Sequence, residues 1–152
     1  MTVAVVGEQP SAGNPPLSGF RVVDLSSGIG GGYCTKLLVD GGATVVKLEP
    51  PEGDVLRRWS ASGQPLAEHE DGALFQFLAA GKRSTTIDPL DPACGAQVLA
   101  VLDEADAIVW SAGSPLAAHP ELQPAVLRAA LPRAIVTSIT PFGLTGPWAD
   151  RP

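Results

Sequence analysis

Short apolar runs alternate with longer amphipathic ones along this chain of 152 residues. Five runs have strand length and are rich in β-branched residues: 21–26, 44–48, 84–88, 107–111 and 134–139. Between them, residues 31–40, 72–80, 92–104 and 121–131 carry the apolar spacing of helices. Strand and helix in regular alternation predict a parallel sheet joined by right-handed crossovers. All five strands are therefore placed in one α/β sheet, Rossmann-like and doubly wound.

Local punctuation sets the expected boundaries. Asp91 precedes Pro92, which offers a capping side chain ahead of a proline at the first helical position, where the missing N–H costs nothing. Gly41 and Gly42 end the first helix, because glycine takes the left-handed conformation that a helix C-terminus often needs. Residues 1–16 are rich in Gly, Pro, Ser and Ala without a sustained period and predict a flexible arm, with the fold starting near Leu17. The stretch 50–71 holds three prolines and two glycines inside the connectivity of the sheet. It predicts a functional loop or lid.

Composition narrows the classes of function. Sixteen acidic against ten basic residues give a net charge of −6, and the basic residues stand in small groups, so binding to nucleic acid or to an anionic membrane is not expected. The two cysteines, Cys34 and Cys94, form no C-x-x-C pair, and no secretory signal is seen, which points to a reduced, cytoplasmic setting. Apolar runs are interrupted well before the roughly 18 residues of a membrane span. His69 and His119 show no metal-ligand spacing with the cysteines, and no G-x-S-x-G elbow makes a serine a nucleophile.

Three segments can carry chemistry. The first strand runs into Ser26-Ser27-Gly28-Ile29-Gly30-Gly31-Gly32-Tyr33, where glycines let a backbone approach a ligand and a helix N-terminus offers N–H groups to an anion. Tyr33 stands where G-x-G-x-x-G requires its third glycine, and Glu49 resembles the ribose-binding acid of a dinucleotide site. Tight packing of strand against helix explains the same glycines. The second segment sets Arg57 and Arg58 beside Trp59, suited to phosphate and to stacking on a purine, or to a solvated surface pair. The third, Gly81-Lys82-Arg83-Ser84, enters a strand where a P-loop enters a helix; it reads as a basic pair at a cleft edge or as a solvated surface.

Taken in order, these segments resemble the family III coenzyme A transferases, the group of formyl-CoA transferase, carnitine CoA-transferase and α-methylacyl-CoA racemase. The resemblance starts at Pro16-Leu17-Ser18-Gly19-Phe20-Arg21-Val22-Val23-Asp24-Leu25 and passes through Leu37-Leu38-Val39-Asp40-Gly41-Gly42-Ala43. It continues through Val45-Val46-Lys47-Leu48-Glu49-Pro50-Pro51, Gly53-Asp54 with Arg57-Arg58-Trp59, Gly81-Lys82-Arg83-Ser84 and Ile87-Asp88. It closes on Phe142-Gly143-Leu144-Thr145-Gly146-Pro147-Trp148-Ala149-Asp150-Arg151-Pro152.

The resemblance implies that residues 17–152 are the amino-terminal, coenzyme-binding portion of an enzyme moving coenzyme A between carboxylic acids, with a fold incomplete relative to the whole family. In the transferases an aspartate attacks the acyl-CoA thioester and an aspartyl-CoA forms; in the racemases a His and Asp pair exchanges the α-proton. Both sets of residues are expected beyond Pro152, so this chain alone is expected to be inactive. The implied substrate is coenzyme A or acyl-CoA, with no metal. The implied partner is the remaining carboxy-terminal half or a second chain, in a homo- or heterodimer.

Carried over by position, the resemblance assigns contact with the coenzyme to Ser27, Gly28, Ile29 and Gly30, to Arg58, to Lys82, Arg83, Ile87 and Asp88, and to Ser111 and Ala112. The chain departs from the family pattern at Trp110-Ser111-Ala112, where most members show an acid, an asparagine and an aromatic residue. It also has Ala80 for an asparagine and His119 for a basic residue. A portion of an acyl-CoA racemase, or a non-catalytic module binding CoA or a nucleotide, is the alternative.

Overall fold

The computed structural model describes residues 13–149 and residue 151. Along the chain come β1 (Arg21–Leu25), α1 (Ile29–Asp40), β2 (Thr44–Glu49), α2 (Ala73–Ala79), β3 (Arg83–Thr86), α3 (Cys94–Leu102), β4 (Ala107–Ser111), α4 (Pro124–Ala130) and β5 (Ile135–Ile139). The strands form one parallel sheet in the order β3-β2-β1-β4-β5. This is the α/β, Rossmann-like arrangement expected from the alternation.

Period-two patterning divides the central strands between two faces. Val23, Leu25, Leu48, Ile108 and Trp110 meet Cys94, Val98 and Leu102 of α3 and Leu127 of α4. On the opposite face Val22, Val45, Ala107 and Val109 meet Cys34, Leu38 and Val39 of α1. α2 lies beside α1, with Leu78 against Gly32. From β1 the chain steps through β2 to β3, then crosses back by α3 to β4 on the other side of β1. The gap between the carboxyl ends of β1 and β4 is therefore the point where strand order reverses.

Several boundaries moved for local reasons. β1 stops at Leu25, because the Ser26 amide bonds to the Asp24 carboxylate at 3.0 Å and leaves the ladder. β3 starts at Arg83 and ends at Thr86, since Asp88 turns the chain by accepting the Leu90 amide at 2.8 Å. The Asp91 side chain does receive an amide, that of Ala93 at 2.8 Å. Regular helix nevertheless begins only at Cys94, because the Asp91 carbonyl first closes a tight turn with the Cys94 amide. α4 begins at Pro124, where proline's missing N–H is harmless, and the preceding Pro120–Leu122 forms a separate 3₁₀ turn.

α1 ends as its two glycines predicted. Gly42 has φ +98°, and the Gly42 and Ala43 amides return to Val39 and Leu38 carbonyls at 3.0 Å each, the bonds of a Schellman cap. Of the arm expected over 1–16, residues 1–12 lie outside the described residues. The Ser18 amide bonds to the Pro15 carbonyl at 2.9 Å, and the Leu17 amide to the Gly41 carbonyl at 2.9 Å. No helix among the described residues is long and apolar enough to cross a membrane.

Leu102 is fully buried between sheet and helices, whereas Leu90 is 88% exposed. Leu102→Ala is expected to cost about 2–5 kcal/mol and Leu90→Ala less than about 0.5 kcal/mol. Urea unfolding of the two variants checks the contrast.

Candidate functional site

At the carboxyl ends of β1 and β2 the apolar alternation gives way to charge on the face that α1 covers. Asp24 and Lys47 stand directly opposite one another in the ladder, and both are buried. Lys47 Nζ lies 2.9 Å from Asp54 Oδ2 and 4.0 Å from Asp24 Oδ2, and donates to the Ser26 carbonyl at 2.9 Å. Lys82, arriving from the turn before β3, sets its Nζ 3.6 Å from Asp24 Oδ2 and donates to the Gly32 carbonyl at 2.9 Å and to Thr35 Oγ1. Thr35 Oγ1 lies 2.7 Å from Asp24 Oδ2, and Ser26 donates to Asp24 Oδ1 from both amide and hydroxyl.

Two carboxylates and two ammonium groups thus balance inside the protein and tie β1, β2, α1, the loop after β2 and the start of β3 together. Such a buried set contributes position more than net stability, because desolvation offsets most of the attraction. Burial pushes the Lys82 ammonium below its usual range while Asp24 pulls it back. Burial likewise pushes the thiols of Cys34 and Cys94 up, away from reactive thiolates.

A second cluster builds the long loop. Glu49, at the end of β2, receives Arg57 Nε at 2.6 Å and Nη2 at 2.9 Å, the Asp54 amide at 2.9 Å and the Ser84 hydroxyl. Burial pushes the Glu49 carboxyl up, but Arg57, Ser84 and the Asp54 amide outweigh it and hold the group at about 2. The hydrogen bond to Glu49 also raises Arg57, which stays charged, bonds to Asp71 at 2.7 Å and stacks 4.2 Å above the Phe75 ring. One guanidinium therefore fastens both ends of the loop. Arg58 collects its middle, donating to the carbonyls of Leu66, Ala67, Glu68 and Glu70.

The third feature is open. Where the strand order reverses, a cleft of about 340 Å³ is lined by Ser27, Gly30, Gly31, Ser111, Ala112 and Thr140, among others. The Ser27 amide donates to Ser111 Oγ at 3.0 Å, bridging the ends of β1 and β4. α1 starts here. Its first helical amides have no intrahelical acceptor, and the Gly32 amide, at 3.2 Å from the Gly28 carbonyl, is the first to find one. Gly31 has no room for a side chain: a β-carbon there would lie 1.7 Å from Ser26 Oγ. Helix and strand end therefore approach closely, and the cleft floor is backbone.

The expected contact residues fall in different places. Ser27, Gly30, Ser111 and Ala112 meet in the cleft, with Gly28 as the N-cap of α1 and Ile29 exposed as its first residue. Arg58 is spent on loop carbonyls, and Lys82 on the buried cluster. Arg83 opens the exposed edge strand β3 and lines a groove of about 310 Å³ beside Glu49, Arg57 and Phe75. Ile87 is in the core, and Asp88 is exposed at the turn after β3. His119 Nε2 sits 2.7 Å from the Pro89 carbonyl. Among the described residues no group of three His, Cys, Asp or Glu is placed to hold a metal ion.

Sequence reasoning missed Gly113, Ile139, Thr140 and Pro141 as cleft residues, and the cluster of Asp24, Lys47 and Asp54. The latter had a signal: Asp24 and Lys47 each interrupt the run of valine and leucine within the strands Arg21–Leu25 and Thr44–Glu49.

Residues 17–152 match the model of CoA-transferase family III. A succinate–glutarate CoA-transferase of Agrobacterium fabrum is 38% identical over 142 residues, which are 90% of this chain and 35% of that protein. A probable fatty acyl-CoA transferase of Mycobacterium tuberculosis is 32% identical over 140 residues, 90% of this chain and 34% of that protein. Among solved structures, a CAIB/BAIF family protein of Brucella suis aligns with a TM-score of 0.79 at 34% identity, over 91% of this chain and 37% of that one. The chain spans about a third of the length of the curated relatives it matches.

The Glu49 carboxyl gives a pH prediction. Its folded value lies below its ordinary one, so its stabilisation is complete above about 4.5 and is lost as pH falls toward about 2. The contribution is on the order of 3 kcal/mol. Urea unfolding between pH 7 and pH 2 should show the chain losing this increment over that window, and Glu49→Gln should start less stable and lose correspondingly less.

Proposed function

The chain belongs to CoA-transferase family III, and on that premise we propose that residues 17–152 are the coenzyme-binding portion of an enzyme that transfers coenzyme A between carboxylic acids. The observation that carries this reading is the cleft between β1 and β4, where the ends of two strands and the start of α1 converge. Ligands of open α/β sheets bind outside the carboxyl ends of the strands at the point where strand order reverses. Four of the residues that line the cleft, Ser27, Gly30, Ser111 and Ala112, are among those that the family resemblance assigns to the coenzyme, with Gly28 and Ile29 beside them.

The geometry suits an anionic, extended ligand. Backbone amides at the head of α1, with the positive end of the helix dipole, favour a phosphate or a polarised carbonyl, and the glycine floor admits a chain close to the backbone. Lys82 supports this arrangement by holding the Gly32 carbonyl, whereas Arg58 is spent on the loop. Arg83 and Asp88, exposed at the start of β3 and beyond its end, are the members of the expected set whose side chains can still meet the distal part of the coenzyme.

In the proposed reaction a carboxylate attacks the thioester carbonyl and coenzyme A leaves as the thiolate. That thiolate then attacks the enzyme acyl carbonyl of the mixed anhydride, releasing the donor acid and leaving an enzyme thioester for the acceptor. Asp24, the aspartate closest to the cleft in sequence, is fully buried, with Ser26, Thr35, Lys47 and Lys82 around it, so it is not that carboxylate. The nucleophile comes from another part of the enzyme or from a second chain, and the role of this portion is to hold coenzyme A.

Calorimetric titration tests the reading. The chain should bind coenzyme A in preference to NAD. Gly113 lines the cleft and has no atom within 4 Å of an added β-carbon, so Gly113→Trp should fill the cleft without straining the fold. It should weaken coenzyme A binding at least about tenfold, or about 1.4 kcal/mol, at an unchanged melting temperature. Tighter binding of NAD than of coenzyme A, or indifference to Gly113→Trp, would contradict the assignment.

A further inference from the structure

Coenzyme A joins an uncharged pantetheine arm, ending in the thiol, to a nucleotide that carries a diphosphate and a phosphomonoester. A site that reads the nucleotide offers its phosphates arginine or lysine. Of the ten cations in this chain, those at the carboxyl end of the sheet are already engaged. Lys47 and Lys82 are buried with Asp54 and Asp24. Arg57 is held by Glu49 and Asp71, and Arg58 by loop carbonyls. Arg151, in the segment after β5, lies over the Trp148 ring at 5.0 Å.

The remaining cations stand elsewhere. Arg21 opens β1 and pairs with Glu104, and Lys36 pairs with Asp40 in the second half of α1. Arg128 and Arg133 lie in the last turn of α4 and in the turn that leads to β5, toward the amino end of the sheet. Arg83 is exposed, but it lines a groove with Arg21 and Thr44, the first residues of β1 and β2.

The carboxyl end also carries anions. Asp88 and Glu121 are exposed, and Asp91 accepts the Ala93 amide at 2.8 Å. Glu121 sits over the first turn of α3, where a β-carbon on Gly95 would lie 1.6 Å from its carboxylate. The protein's own carboxylates therefore occupy the helix head that α3 would offer to a phosphate. Burial, and then Asp91, Asp88 and Glu121, push up the Cys94 thiol beside them. Asp88 and Arg83, the pair that can still meet the distal part of the coenzyme, are opposite in sign and offset one another. Among the described residues no charged side chain lines the cleft between β1 and β4. The head of α1 alone is worth about 0.3–1 kcal/mol toward an anion, too little to select a polyanion.

We infer that this cleft takes the pantetheine arm with its thioester and that the chain does not read the nucleotide, so that pantetheine and coenzyme A are ligands of the same rank. The inference deepens the coenzyme-binding reading and rests on it. A glycine floor admits a narrow uncharged chain. Ser111 Oγ accepts the Ser27 amide and Thr140 Oγ1 accepts the Gly143 amide, which leaves both hydroxyl protons to donate. Together with the α1 amides they suit the amide and thioester carbonyls of the arm.

Calorimetric titration of the chain with coenzyme A, pantetheine and adenosine 3′,5′-bisphosphate tests this. Pantetheine should bind within about threefold of coenzyme A, and adenosine 3′,5′-bisphosphate at least about tenfold more weakly than either. Coenzyme A affinity should change less than about twofold between about 0.01 and about 0.15 M salt, because little cationic attraction is there to be screened. Arg83→Ala and Arg151→Ala should each change it less than about threefold, and Gly113→Trp should weaken pantetheine and coenzyme A alike. The inference is overturned if coenzyme A binds more than about tenfold tighter than pantetheine, or if its affinity falls steeply with salt. It is equally overturned if either arginine variant weakens coenzyme A while sparing pantetheine, or if Gly113→Trp spares pantetheine. Those results leave the coenzyme-binding reading standing, whereas binding of neither pantetheine nor coenzyme A overturns both.

Discussion

The arrangement depends on four charges that have been taken out of water together. Asp24, Lys47, Asp54 and Lys82 come from β1, β2, the loop after β2 and the turn before β3, and each is held by at least one of the others or by Thr35 and Ser26. Removing any one leaves a buried charge without its counterpart, which is far more costly than the pair is favourable. The strand ends, the head of α1 and the start of β3 therefore have one mutually consistent position. That position sets Ser26 and Ser27, and through the Ser27 amide it sets the bridge to Ser111.

Seen from this cluster, the long loop is less a lid than a brace. Two consecutive arginines divide the work: Arg57 closes the loop's ends through Glu49 and Asp71, while Arg58 gathers carbonyls from its middle. Both guanidinium groups are consumed in doing so. Glu49 is consumed as well, which removes the acid that a dinucleotide-binding sheet would offer to a ribose. The cleft keeps its chemistry in backbone amides and small side chains, suited to a ligand recognised by shape and by the helix N-terminus.

How much of this was legible in the sequence varied with the range of the interaction. Strand and helix positions followed from periodicity, because burial of alternate residues is a local pattern; Ala107–Ser111 was placed to the residue. Boundaries slipped where a side chain captured a nearby amide, as Asp24 does at Ser26 and Asp88 at Leu90. The glycine-rich turn and Ser111 were linked only through the family resemblance; the strand order that sets β1 beside β4 follows from long-range pairing and was not legible in the alternation. Nor was the fate of Arg58 and Lys82. Whether a cation is free for a ligand depends on carbonyls and carboxylates distant in sequence, and a basic residue beside a glycine looks the same in either case. Thr140 and Pro141 gave no signal, for they border the cleft only by following β5.

The most direct test of the account is a titration of the isotope-labelled chain with coenzyme A followed by amide resonances. The account predicts that the amides of Ser27, Gly28, Ile29, Gly30 and Gly31 shift together with those of Ser111, Ala112 and Gly113, while those of Arg57, Arg58 and the loop they brace stay in place. Shifts centred on the loop and on the groove beside Glu49 and Arg83, with the strand-end amides unmoved, would contradict it.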